Sequence, residues 1–274
     1  MISDLYRFIV KYFTTHPKKK EIVFTDNYDL VIVCGPEDLD YLDTCLTSIF
    51  NNFEALPHVF IFTDPKVDMD KCKRVVRWFP SAYLNIIRGS DCVNYHLQHK
   101  QEALIRFVKY NPMGLKMAAI LQMLNAGKLF LYCDPATLWY RDPAEAIKTV
   151  AASNEFELAM EVDHEPHYDA IFINKNELSG VNQPPYFSSG IILLKNISKP
   201  NYQWLQSVLE TTGELTNPYI GETILAQLNR VSGDLALDKD QFSLKVDSPP
   251  GPQVIARSYM GDGRHLFWRD ALKL

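Results

Sequence analysis

A few short segments hold the residue types that do chemistry. LYCDPATLWYRDP (131–143) places Asp134 where an apolar run meets a turn. A carboxylate there either holds a divalent cation or a ribose at the floor of a crevice, or caps the turn, as Asp before Pro commonly does. FSSGIILLKN (187–196) opens an apolar run with Ser188, Ser189 and Gly190. The two hydroxyls can donate to sugar hydroxyls and the glycine lets a ligand approach the backbone; a bulged strand would use the same residues. NPYIGETILAQLNR (217–230) sets Glu222 in the first turn of an expected helix, as a general base or as an acid that complements the helix dipole. YMGDGRHLFWRDALKL (259–274) combines Gly261 and Gly263 with Arg264 and His265, which suits either an anion-binding nest or a surface turn. EVDHEPHYD (161–169) gathers Glu161, Asp163, His164, Glu165, His167 and Asp169, which fit a metal site or a solvated loop.

The elements that position these residues are legible as alternating apolar runs and helical patterns. LVIVC (30–34), HVFIFTD (58–64), AYLNII (82–87) and KLFLYCD (128–134) read as buried strands. Helices are expected from Asp38 to Phe50, with Leu39, Leu42, Leu46 and Ile49 on one face, and from Met113 to Leu124. The alternation predicts an α/β fold with a mostly parallel sheet, whose ligand crevice lies beyond the carboxyl ends of the strands. Cys34, Gly35, Thr63, Asp64 and Asp134 all sit at such ends. FELAMEVD (156–163) and FSSGIILLKN read as further strands, with helices around Tyr202–Glu210 and Gly221–Asn229. From Val231 onward the Gly, Pro and Asp content predicts loops. Trp139, Trp204 and Trp268 are candidates for stacking on sugar rings, with burial the expected fate of Trp139 and Trp204.

Composition narrows the classes. The chain has 274 residues, 47% of them hydrophobic and 22% charged, with a net charge of −5, which excludes a disordered chain and a general nucleic-acid coat. Cys34, Cys45, Cys72, Cys92 and Cys133 form no CxxC pair, so neither a disulfide framework nor a zinc knuckle is indicated, and a reducing, cytoplasmic setting is expected. The start, MISDLYRFIVKYF, is too interrupted by charge for a signal peptide or membrane span. Its Leu5, Phe8, Ile9, Tyr12 and Phe13 recur at helical spacing before Lys18, Lys19 and Lys20, so residues 1–27 read as an amphipathic helix and linker. That helix either packs on its own domain or touches an anionic membrane surface.

Taken in order, these segments resemble the GT-A fold of nucleotide-sugar-dependent glycosyltransferases. Asp134, Trp139, Asp142 and Pro143 are similar to the Asp-x-Asp-x-x-Trp-x-x-Asp-Pro stretch of that class, and FSSG (187–190) to its Phe-Asn-Ser/Thr-Gly strand. The resemblance covers residues 28 to 270 and implies one domain at 28–274, with a nucleotide half to about 143 and an acceptor half from about 144. It implies a donor such as a UDP-sugar, a glycan or other hydroxyl acceptor, and Mn²⁺ or Mg²⁺ as cofactor. Cys34, Gly35 and Pro36 would line the base and ribose, Thr63 and Asp64 would lie near the base, and Lys116 would reach toward the donor. Asp134 and His265 would hold the ion, Arg264 or Lys273 would neutralise the leaving diphosphate, Glu222 would be the base, and the segment 161–169, placed where the class presents acceptor-binding loops, would recognise the acceptor by hydrogen bonds. The sequence departs from the pattern at Ala136, which stands where the second acid of the metal motif is expected. Three readings follow: weak metal use, metal independence with Arg or Lys on the diphosphate, and loss of catalysis. Glu222-Thr223 replaces the Asp-Gln pair of many retaining relatives, leaving the stereochemical course open. A non-catalytic nucleotide-sugar-binding or scaffold protein is the competing class. A sugar-phosphate nucleotidyltransferase would need a Gly-rich basic loop after the first strand, where VCGPEDLDYLD (33–43) is acidic.

Overall fold

Seven strands meet in one sheet in the order β3-β2-β1-β4-β7-β6-β8. They are β1 (Phe24–Cys34), β2 (Leu56–Thr63), β3 (Leu84–Arg88), β4 (Phe130–Cys133), β6 (Leu158–Asp163), β7 (Tyr186–Leu194) and β8 (Leu235–Ala236). The structure is a computed structural model that describes residues 6–7, 10, 22–153, 157–178, 180–244 and 248–274. The expected N-terminal amphipathic helix and linker therefore fall largely outside the described residues. Within it Val10 is buried against Ala136, Leu138, Tyr259 and Phe267.

β1 to β4 pair in parallel, and β7 runs antiparallel to both β4 and β6. This geometry gathers the site. The carboxyl ends of β1, β4 and β6 share one edge with the amino-terminal half of β7, so Asp134, Asp163 and the Ser188–Gly190 segment converge there. Central strands covered on both faces need continuous apolar sequence, and β4 is buried at every position. On one face Val31, Phe62, Phe130, Tyr132 and Ile192 pack under α3 (Gly89–Gln98), α4 (Glu102–Tyr110), α5 (Gly114–Asn125), α8 (Lys199–Thr212) and α9 (Tyr219–Val231). On the other, Leu30, Ile32, Leu131, Cys133 and Ile191 pack under α1 (Leu39–Asn52), α2 (Met69–Val76) and α6 (Ala144–Ala151). The five cysteines are free and buried, and no described helix is long and apolar enough to cross a membrane.

The segment after Val231 differs from the expected loops. It forms β8, β9 (Phe242–Ser243), β10 (Ala256–Ser258) and the helix α10 (Arg264–Ala271), while a short helix α7 (Ala170–Lys175) follows the acidic segment. β10 pairs antiparallel with β5 (Thr137–Trp139) and parallel with β9 in a second, three-stranded sheet. These strands are two or three residues long, too short for an apolar period, and their partners lie far away in sequence.

Candidate active site

Lys116 enters from the first turn of α5, a helix that is buried almost all round. Its ammonium lies 3.1 Å from Asp134 Oδ1, 2.6 Å from the Ser189 carbonyl and 2.8 Å from Ser189 Oγ, which uses all three of its donors. It also stands 4.4 Å from the centre of the Tyr132 ring, whose hydroxyl donates to the same Asp134 oxygen. Burial and the Asp134 charge hold the Tyr132 phenol well above its usual range, so it stays a donor.

Ser189 carries the network across to α9. Its amide donates to Glu222 Oε1 at 2.6 Å, and its hydroxyl, having accepted from Lys116, donates to Glu222 Oε2. Glu222 is 6% exposed. Burial raises its proton affinity, while the nearby Lys116 ammonium and the Ser189 bonds oppose that rise.

A second buried carboxyl lies behind Gly190. Glu161 is fully buried in β6, with Ser258 Oγ of β10 at 2.8 Å from each of its oxygens. Desolvation, reinforced by Asp134, Asp163 and Glu222, pushes its pKa up to about 8. Gly190 makes room for it, since a Cβ there would meet Glu161 Oε2 at 2.7 Å and Ser258 Oγ at 2.9 Å.

Above this network opens a cavity of about 430 Å³ lined by Asp134, Asp163, His167, Ser188, Tyr219 and Glu222, among others. Asp163 accepts from the His164 amide at 2.6 Å and from His167 Nδ1 at 3.0 Å. The acidic segment is thus divided. Asp163, His164, Glu165 and His167 line the cavity, Glu161 is buried beneath it, and Asp169 caps α7 through the Phe172 amide at 2.7 Å. A separate crevice of about 510 Å³ lies beyond the end of β1, lined by Pro36, Tyr41, Lys71, Arg264 and Trp268 as well as Arg7. Arg264 pairs with Asp38 at 3.1 Å and lies over the Tyr41 ring, and Arg7 pairs with Asp40.

The structure brings Lys116, Asp134, Ser188, Ser189, Gly190 and Glu222 together, and sets Pro36 beside Arg264. It does not bring the remaining expected residues to either group. Cys34 is fully buried, with its thiol 3.4 Å from the Gly35 carbonyl and its proton affinity raised by burial. The Gly35 amide is bound by Asp38 Oδ2 at 3.0 Å. Thr63 turns its hydroxyl inward, toward Met69 Sδ at 3.3 Å and the Ile87 carbonyl at 3.4 Å. Asp64 accepts from the Lys66 amide at 2.8 Å and caps the turn after β2. Gly261 and Gly263 belong to a 3₁₀ turn that leads into α10, and of the two Gly261 does line the first cavity. His265 and Lys273 are exposed and line neither opening, so Asp134 and His265 do not share a cavity. Ala136 is 1% exposed within the apolar cluster of Leu138, Tyr259 and Phe267. Among the described residues no three His, Cys, Asp or Glu side chains gather in a way that could hold a metal ion. Trp139, Trp204 and Trp268 all pack into the interior, wholly or in part, and of the three Trp268 alone lines one of these two openings. Tyr132, Ser258 and the buried role of Glu161 escaped the sequence reading. The available signal was one acid inside the apolar run LAMEV, facing a strand that contains glycine.

No family model and no curated protein matches the sequence. Solved structures do. The chain is similar to mouse xyloside xylosyltransferase 1 in its apo form, with a TM-score of 0.58 and 13% identity over 86% of this chain and 97% of that one. It is similar to the galactosyltransferase LgtC in complex with donor and acceptor sugar analogues, with a TM-score of 0.58 and 12% identity over 90% and 96%. It also matches the bifunctional glycosyltransferase WbbM, with a TM-score of 0.60 and 13% identity over 95% of this chain and 51% of that one. The chain therefore has the GT-A glycosyltransferase fold.

Proposed function

We propose that the protein is a glycosyltransferase that moves a sugar from a nucleoside-diphosphate sugar, with UDP as the carrier, to the hydroxyl of a glycan or other acceptor. The observation that carries this reading is the Lys116–Asp134–Ser189–Glu222 network, set at the carboxyl end of β4 and open to a cavity of sugar size. In this reading the acceptor lies among Asp163, His167 and Tyr219, whose polar atoms suit sugar hydroxyls. Glu222 takes the acceptor proton, and burial favours that step by raising its proton affinity. Arg264 and Lys71 in the neighbouring crevice suit the departing diphosphate, because Met260 and Gly261 line the first cavity and Arg264 follows three residues later. Catalysis then rests on positioning and on fixed charge. The buried thiols agree with a reducing compartment such as the cytoplasm.

Thermal melting with UDP, GDP and ADP, followed by assay of UDP release from UDP-sugars, tests this. UDP should raise the melting temperature most, and UDP should appear slowly in water. A melting curve unmoved by every nucleoside diphosphate ends the reading. A non-catalytic nucleotide-sugar-binding protein is the second reading, favoured by the engagement of both Glu222 oxygens by Ser189 and by the apolar setting of Ala136. Donor binding with no release of UDP, alone or with acceptor sugars, would select it. The nucleotidyltransferase reading gains nothing from the fold, since the loop after β1 is held by its own Asp38.

A further inference from the structure

We infer that the Asp134 site works without a divalent cation and that the buried Lys116 ammonium supplies its fixed positive charge. The inference rests on the glycosyl-transfer reading for its meaning, and its evidence is the donor set itself. Mg²⁺ requires near-octahedral ligation, and Ca²⁺-like or Mn²⁺-like sites need as many oxygens, with at least one or two free carboxylates aimed at one point.

The carboxylates around the cavity do not offer two such groups at one point: Glu165, on its rim, faces His167 Nε2 at 3.7 Å, and among the described residues no three His, Cys, Asp or Glu side chains gather. Asp134 Oδ1 already accepts from Lys116 and from the Tyr132 hydroxyl, which leaves Oδ2. Glu222 gives Oε1 to the Ser189 amide and Oε2 to the Ser189 hydroxyl. Both Glu161 oxygens face Ser258 Oγ, out of reach of the cavity. The Asp163 oxygens are engaged by the His164 amide and by His167. Position 136 lacks a carboxylate and is buried in the apolar cluster of Leu138, Tyr259 and Phe267.

Lys116, in contrast, is built in. The residue is 4% exposed, and its ammonium has three oxygen acceptors between 2.6 and 3.1 Å and is backed by an aromatic face. Those acceptors match its three donors, so it fills its site as a coordinated ion would. A divalent cation seated on Asp134 would lie against this ammonium and be repelled by it. Lys116 is thus a positioning residue with an electrostatic role: it orients Asp134 through the 3.1 Å contact and places a fixed positive charge where a donor phosphate approaches.

The test is a titration with Mn²⁺ alone, following free Mn²⁺ by electron paramagnetic resonance, on the full chain, on Asp134→Asn and on Lys116→Ala. The wild-type curve should coincide with that of Asp134→Asn, because neither holds the ion. Lys116→Ala uncovers Asp134 and should bind Mn²⁺ at least about tenfold more tightly, a difference of about 1.4 kcal/mol. Should Lys116→Ala not fold, the wild type against Asp134→Asn still decides. A Mn²⁺ bound by the wild type and lost in Asp134→Asn overturns the inference. A second readout is the UDP-induced rise in melting temperature, which should be the same in EDTA and in Mn²⁺; a rise abolished by EDTA also overturns it. Absence of any UDP effect in both media ends the glycosyl-transfer reading instead, and the Mn²⁺ titration continues to judge the site.

Discussion

Ser189 joins two charged groups that would each be costly to bury alone, because its hydroxyl accepts from Lys116 and donates to Glu222 while its amide fixes the other Glu222 oxygen. Ser189→Ala removes the hydroxyl and leaves the amide bond. Urea unfolding should show a loss of about 2 kcal/mol, as expected when a buried hydrogen-bonded group loses its partner. The Glu161–Ser258 pair supports a second prediction with a definite sign. Glu161 takes up its proton with a folded pKa of about 8 against an ordinary 4.5, so the native state binds more protons than the unfolded chain between those values. Its contribution to stability is fully present below about pH 4.5 and is lost as pH rises to about 8. Glu161→Gln keeps the shape without the titration. Melting temperatures measured from pH 5 to 9 should fall less steeply with pH in Glu161→Gln than in the wild type; parallel slopes would sink the assignment. Ala136 shows how a site residue can be legible in type and illegible in environment. Its mismatch with the metal motif is visible in the sequence, but the apolar cluster that encloses it depends on Tyr259 and Phe267, more than a hundred residues away.

At the level of elements, close approach of backbones decides what aims Lys116. A Cβ on Gly114 would stand 2.4 Å from Val108 Cα and 2.7 Å from the Phe107 carbonyl, so α5 and α4 cross in contact at this glycine. The obstacle is backbone and cannot rotate away. Gly114→Ala should therefore destabilise the protein by about 3 kcal/mol, the upper part of the range for overpacking, and should weaken UDP binding by displacing Lys116 two residues on. Gly114→Ala with wild-type stability would show that the helices can separate at no cost. The strands that carry the site were readable because parallel central strands demand unbroken apolar runs, as in LVIVC and KLFLYCD. Helices α1, α5 and α9 were readable from their buried faces to within a few residues. β5, β9 and β10 were not, since pairings such as Ala256 with Trp139 leave no local period. For the same reason the place of Ser258 beside Glu161 could not be read from residues lying 97 positions apart.

Across the whole molecule, residues 256–271 return to the middle of the chain and to the loop after β1. β10 adds to β5, the Tyr259 amide binds the Ala136 carbonyl at 2.9 Å, Ser258 meets Glu161, and Arg264 pairs with Asp38 beyond β1. The net charge of −5 describes the two openings poorly, because Lys116 of α5, Lys71 of α2 and Arg264 of the returning segment set positive charge beside them. One buried acid holds it. Asp270 is fully buried and accepts from Arg257 at 3.2 Å, from the Tyr259 hydroxyl at 2.8 Å and from Arg269 at 2.8 Å, and Arg257 is itself 2% exposed. Removing the carboxylate leaves the Arg257 guanidinium buried without its counter-charge, which costs about 3–5 kcal/mol when a buried pair is broken. Because the two cores of the seven-stranded sheet draw little on residues 256–271, with Ala256 in one of them, this loss should open the returning segment before it unfolds the sheet. Asp270→Ala is expected to exchange amide hydrogens across residues 256–271 at least about tenfold faster than the wild type while β4 keeps its protection, and to lose UDP stabilisation along with the Arg264 position. If β4 and residues 256–271 lose protection together, the segment belongs to the same cooperative unit as the sheet.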